Sequence, residues 1–139
     1  MKKSALLLLL MMIMPLALAA DITGSWQTID DETGEAKSIV EIFEREGRYY
    51  GKVQDLLLKP DDTVCEECKG PRKGQQVVGM EIITGLKKDG DEYTGGEILD
   101  PESGNVYRAK LWLEDDDTLK VRGYLGFFYR TQTWHRAEE

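Results

Sequence analysis

Histidine and cysteine are nearly missing: the 139-residue chain has one His, His135, and two Cys, Cys65 and Cys68. Two thiolates and one imidazole cannot complete the four protein ligands of a structural zinc site without carboxylate help. A His-based hydrolase needs a nucleophile and an orienting group beside its imidazole. Ser25, Ser38 and Ser103 lie in no nucleophile-elbow context. Positive charge is also scarce, with 18 Lys and Arg against 26 Asp and Glu and a net charge of −8. That balance excludes a nucleic-acid footprint and disfavours an anionic membrane surface. Beyond the first twenty residues no sustained apolar period of 3.6 appears, which excludes a long amphipathic helix. These absences predict that the chain is not an enzyme and holds no metal and no cofactor.

What is present begins with an export pattern. Lys2 and Lys3 form a positive start, Ala5 to Ile13 is unbroken apolar sequence, and Pro15 ends it. Ala17-Leu18-Ala19 places small residues where a signal peptidase reads them. The apolar run is shorter than the ~20 residues that span a bilayer. The expectation is a cleaved signal peptide over residues 1–20 and a single mature domain over residues 21–139, secreted or periplasmic, with no membrane insertion. Loss of Lys2 and Lys3 makes that domain more acidic still.

Turn signals recur at short intervals: Asp31-Glu32-Thr33-Gly34, Glu46-Gly47, Asp89-Gly90, Asp100-Pro101-Glu102-Ser103-Gly104 and Asp115-Asp116-Asp117. The stretches between them are rich in β-branched and aromatic residues. They predict strands over Ile22–Ile29, Ser38–Glu44, Tyr49–Leu57, Val78–Leu86, Tyr93–Leu99, Val106–Leu113, Leu119–Leu125 and Phe128–Arg136. Tyr107, Ala109, Leu111 and Leu113 alternate with Arg108 and Lys110, so one face is buried and one is wet. A meander of about eight short strands hides its edges by closing, so the expected fold is an all-β, antiparallel up-and-down barrel. A two-sheet sandwich is the alternative.

One long stretch, Leu58 to Gln76, interrupts the meander and carries both cysteines. Cys65-Glu66-Glu67-Cys68 has three readings: a structural disulfide, a redox dithiol, or half a metal site. An oxidising compartment and a lone pair of Cys favour the disulfide. The two intervening acids oppose the lowered thiol pKa that redox chemistry needs. Long loops in small domains are often functional. Asp61, Asp62, Glu66, Glu67, Lys69, Arg72 and Lys73 are therefore the candidate ligand or partner contacts. Acidic groups at Asp89, Asp91 and Glu92 and at Asp115–Asp117 match no calcium loop and read as solvated turns.

Gly24-Ser25-Trp26 opens the first strand, and Arg130, Trp134 and Arg136 lie in the last. In a closed barrel these strands are neighbours. An Arg from the last strand, Arg130 or Arg136, is expected over a buried Trp26 as a barrel-closing contact.

Glycine-x-tryptophan with a late arginine resembles the lipocalin and calycin barrels, which implies a barrel with a ligand cavity. A broader set of residues resembles the exported bacterial proteins called domain of unknown function 2147. It comprises Gly24-Ser25-Trp26, Tyr50-Gly51-Lys52-Val53, Cys65-Glu66-Glu67-Cys68-Lys69-Gly70, Gly95-Gly96-Glu97-Ile98-Leu99-Asp100-Pro101 with Gly104 and Tyr107, Leu119-Lys120-Val121-Arg122-Gly123-Tyr124 and Arg130-Thr131-Gln132-Thr133-Trp134. The resemblance implies no activity. Two functions follow as expectations: a periplasmic module that binds a small, partly apolar molecule in or at the mouth of the barrel, or a structural or envelope-stress accessory protein working through protein contacts. An open cavity points to the first, and a filled barrel with an exposed apolar patch to the second.

Overall fold

The computed structural model describes residues 20–137, with residues 9 and 13; the expected leader falls almost wholly outside the described residues. Eight strands follow in order: β1 Gly24–Ile29, β2 Ala36–Arg45, β3 Arg48–Leu56, β4 Glu81–Asp89, β5 Glu92–Leu99, β6 Val106–Asp115, β7 Thr118–Leu125 and β8 Phe128–Arg136. Each pairs antiparallel with the next, and β8 returns to β1, so the sheet is a closed barrel and not a sandwich. Among the described residues no helix is long and apolar enough to cross a membrane.

Most expected strands sit where alternation put them, with two differences of consequence. β1 starts at Gly24 and not at Ile22, because Gly24 adopts φ 120° and turns the preceding residues across the barrel end. β4 starts at Glu81 and not at Val78. Val78 and Gly79 instead form a tight turn, closed by the Met80 N–H donating to the Val77 carbonyl at 3.0 Å. The expected irregular stretch is itself folded. Val64 pairs with Gln76 as an isolated bridge, and Gly70–Arg72 make one turn of 3-10 helix.

The two ends of the barrel differ. The connections β2–β3, β4–β5 and β6–β7 are two-residue turns at one end, which Ile22, Trp26, Ile42, Tyr49, Leu86, Tyr93 and Leu119 fill with buried side chains. Tyr49 and Tyr93 meet edge to face there with ring centroids 4.9 Å apart. Burial pushes both phenols above their ordinary pKa. The other end carries the β1–β2 loop, the long β3–β4 loop, the β5–β6 loop and the β7–β8 turn.

The seam is uneven. β1 and β8 pair only as Trp26 with Arg136 and Gln27 with His135. Both pairs lie toward the filled end, so β1 and β8 share no ladder toward the other end.

Candidate functional site

Alternation sends Thr28 on β1 and Ser38 on β2 inward, and their buried hydroxyls share a hydrogen bond of 2.6 Å. Above this polar pair the packing gives way to a hollow of 1270 Å³ that opens between the rim loops. Val53, Val77, Leu99, Val121 and Trp134 supply buried apolar wall, while Tyr107 and Gln132 add polar atoms. The Trp134 indole N–H donates to the Gln132 side-chain oxygen at 3.1 Å. The volume spans lumen and rim together. It exceeds the ~300–1,000 Å³ of ordinary ligand pockets.

The rim is charged and partly tied together. Glu102 accepts Lys37 at 3.3 Å and Lys59 at 3.8 Å, joining β2, the long loop and the β5–β6 loop. Asp31 accepts Gln132 at 2.9 Å and Arg130 at 3.3 Å. This side-chain bridge crosses the part of the β1–β8 seam that lacks a ladder. Asp30 shapes the same loop by accepting the Glu32 and Thr33 backbone N–H groups, each at 2.9 Å. Those bonds, the Thr33 one first, hold its carboxyl below the usual aspartate pKa.

Cys65 and Cys68 are joined as a disulfide, and both are buried, at 1% and 2% exposure. The bond therefore anchors the loop instead of stiffening a solvent-facing tip. Cys65 Sγ lies 3.4 Å from the Pro101 carbonyl oxygen; a disulfide sulfur has no proton to donate, so this is packing. Gly104 on the facing turn has φ 76°, and a Cβ there would collide with the Glu67 carbonyl. Only glycine allows these two loops to approach so closely.

The expected loop contacts divide. Asp62, Glu66 and Glu67 line the mouth. Lys69 and Arg72 line a separate outer hollow of 310 Å³ beside Val106 and Leu125. Asp61 and Lys73 are exposed and line neither. Of the two arginines expected over Trp26, only Arg136 is there, with its guanidinium carbon 4.2 Å from the ring centroid. Arg130 is a correction. It pairs with Gly123 six residues along β8, about 20 Å away, and bonds Asp31 at the mouth. The rim roles of Asp31, Lys37, Gln132 and Glu102 escaped sequence reading. The inward alternation of Gln132 was the one available signal.

His135 is exposed on β8 opposite Gln27. Among the described residues no group of three or more His, Cys, Asp or Glu is placed to hold a metal ion.

No curated protein matches the chain. A solved structure described as "Protein HP1028 from the human pathogen Helicobacter pylori belongs to the lipocalin family" superposes with TM-score 0.76 at 20% identity, covering 87% of this chain and 86% of that one. At that identity the likeness concerns the fold. Residues 24–136 match the model of the family described as "Uncharacterized protein conserved in bacteria (DUF2147)", and the chain belongs to that family.

Proposed function

We propose that the protein is an exported binding module that takes one small, partly apolar molecule into the mouth half of its barrel. The carrying observation is the change in packing along the lumen. Below Thr28 and Ser38 the interior is filled by buried side chains, and above them it opens into the 1270 Å³ hollow. A ligand's apolar part would lie against Val121, Leu99 and Trp134, and its polar end would meet the charged rim. Binding, not catalysis, fits this arrangement, since among the described residues the hollow holds no nucleophile paired with a base. Eight-stranded barrels of this size commonly hold one small ligand or none. The export pattern at residues 1–20 and the buried disulfide support a periplasmic setting.

The test is titration with an environment-sensitive apolar fluorophore, comparing the parent with Val121→Trp, which fills the floor of the hollow. Saturable enhancement in the parent and its loss in a folded Val121→Trp variant support the proposal. Equal enhancement in both would place the probe elsewhere and overturn it.

A second reading has its own observation. Leu125, Phe127, Phe128 and Tyr129 form an exposed apolar turn at the mouth, as an accessory protein acting through surface contacts would need.

A further inference from the structure

The β7–β8 turn spends apolar side chains where a two-residue hairpin needs none. Leu125 pairs with Phe128 across the turn, and Gly126 takes φ 60° at its first central position, as a type II′ turn requires. Phe127 is fully exposed, Phe128 is 82% exposed, and Leu125 and Tyr129 are each more than half exposed. Tyr129 is held in place from behind by the Arg122 guanidinium, 4.4 Å from its ring centroid. The tip is an apolar projection on the rim.

The charges on its outer side differ from those on its mouth side, where Asp31, Asp62, Glu66 and Glu67 stand. The chain is acidic, at −8 overall. Lys69 and Arg72 nevertheless face Leu125 and Val106 across the outer hollow, and Arg108 stands opposite Tyr124 at the base of the hairpin. Among the described residues Lys69, Arg72 and Arg108 form no ion pair, though Glu97 stands opposite Arg108 on the neighbouring strand, whereas Lys37, Arg45, Lys52, Lys59, Lys110, Lys120, Arg130 and Arg136 do. Three cations without an ion pair thus stand behind the apolar tip.

We infer that this tip docks the protein on an anionic lipid bilayer, with Phe127 and Phe128 entering the headgroup region and Lys69, Arg72 and Arg108 meeting lipid phosphates. Aromatic side chains settle at the membrane interface, and basic groups beside them add attraction that fades within a Debye length. The protein then sits on the bilayer and does not cross it. The overall negative charge and the mouth carboxylates Asp31, Asp62, Glu66 and Glu67 oppose approach, so the attraction is confined to the outer side of the tip and is salt-sensitive. The tip borders the mouth, so docking brings the open lumen to the lipid surface. The docking does not depend on what the lumen holds: fluorophore binding without vesicles tests the lumen, and vesicle binding tests the tip.

The experiment is co-sedimentation of the mature protein with vesicles of phosphatidylcholine containing phosphatidylglycerol, and with vesicles of phosphatidylcholine alone. The parent should sediment with the anionic vesicles and much less with the neutral ones. Phe127→Ser with Phe128→Ser should weaken the anionic binding by about tenfold or more, and Arg72→Gln with Arg108→Gln should remove the preference for phosphatidylglycerol. Far-UV circular dichroism checks both folds; Phe127→Ser alone, at a fully exposed turn position, replaces the double variant if that one misfolds. A parent that stays in the supernatant with both vesicles overturns the inference. So does undiminished binding by the serine variant, equal binding to both lipids, or a parent dimer in ultracentrifugation that the serine variant abolishes, since the tip would then be a self-association surface.

Discussion

The guanidinium of Arg136, near the end of the last strand, lies 4.2 Å above the ring of Trp26 on the first and closes the filled end of the barrel. Its Nη1 also donates to the Thr23 carbonyl at 3.0 Å and its Nε to the Asp116 carbonyl at 2.8 Å. The Trp26 indole N–H donates to the Ile22 carbonyl at 2.9 Å. Gly24 completes the group, since a Cβ there would come within 2.9 Å of Arg136 Nη1. One arginine thus ties the chain's entry into β1, the β6–β7 turn and β8 together. Trp26→Ala should cost ~3–5 kcal/mol by removing a fully buried aromatic. Arg136→Gln should cost about 1–3 kcal/mol by leaving carbonyls short of a donor. Urea unfolding midpoints measure both, and an unchanged midpoint for Trp26→Ala would remove this end from the core.

The disulfide gives a prediction about the rim. Protein denatured without prior reduction should show no free thiol at Cys65 or Cys68. Cys65→Ala with Cys68→Ala should lose about 2 kcal/mol by the chain-entropy model. Trypsin should then cut faster at Lys69, Arg72 and Lys73, because the loop loses its anchor against Pro101 and Gly104. Two free thiols in acid-trapped protein, or unchanged cleavage, would count against it.

Burial raises the pKa of Tyr49 and Tyr93 above the ordinary 10.0. The folded state therefore holds these protons where the unfolded chain releases them. Their contribution is complete below the unfolded value and is lost as pH rises toward the folded one. Stability should fall as pH climbs above 10, less steeply in Tyr93→Phe once its own baseline stability is taken into account. Unfolding midpoints across that range decide it, and a parent with no alkaline decline would contradict the packing of these rings.

Asp31 latches the part of the seam that lacks a β1–β8 ladder. Asp31→Ala should change stability by less than about 1 kcal/mol, as exposed pairs do. It should nevertheless speed amide exchange over residues 128–132, where β8 has no ladder to β1. Exchange indistinguishable from the parent would show that the bridge to Arg130 and Gln132 holds nothing.

Legibility in the sequence follows the physics of each part. Period-two alternation in β6 and β7 and the short turns made the barrel readable, because both are local signals. The Trp26–Arg136 contact was half readable: closure brings β1 to β8, but only register decides that Arg136, and not Arg130, reaches the ring. The strand starts at Gly24 and Glu81 are not legible in the sequence, because positive φ at Gly24 and the turn at Gly79 are backbone choices that composition does not report. The mouth was least readable. Asp31, Lys37, Gln132 and Glu102 come from four separate segments and meet only after the barrel closes. Length singles out the candidate loop, yet the disulfide folds part of it down, so that Lys69 and Arg72 face outward and Asp62, Glu66 and Glu67 face the mouth.

Whether the mouth half of the barrel is a binding site is tested most directly by native mass spectrometry of the protein purified from its own cells without detergent. The account predicts a discrete added mass of one small molecule that is absent under denaturing conditions and from the Val121→Trp variant. Only the bare polypeptide mass in the parent, with no apolar fluorophore bound on titration, would contradict it.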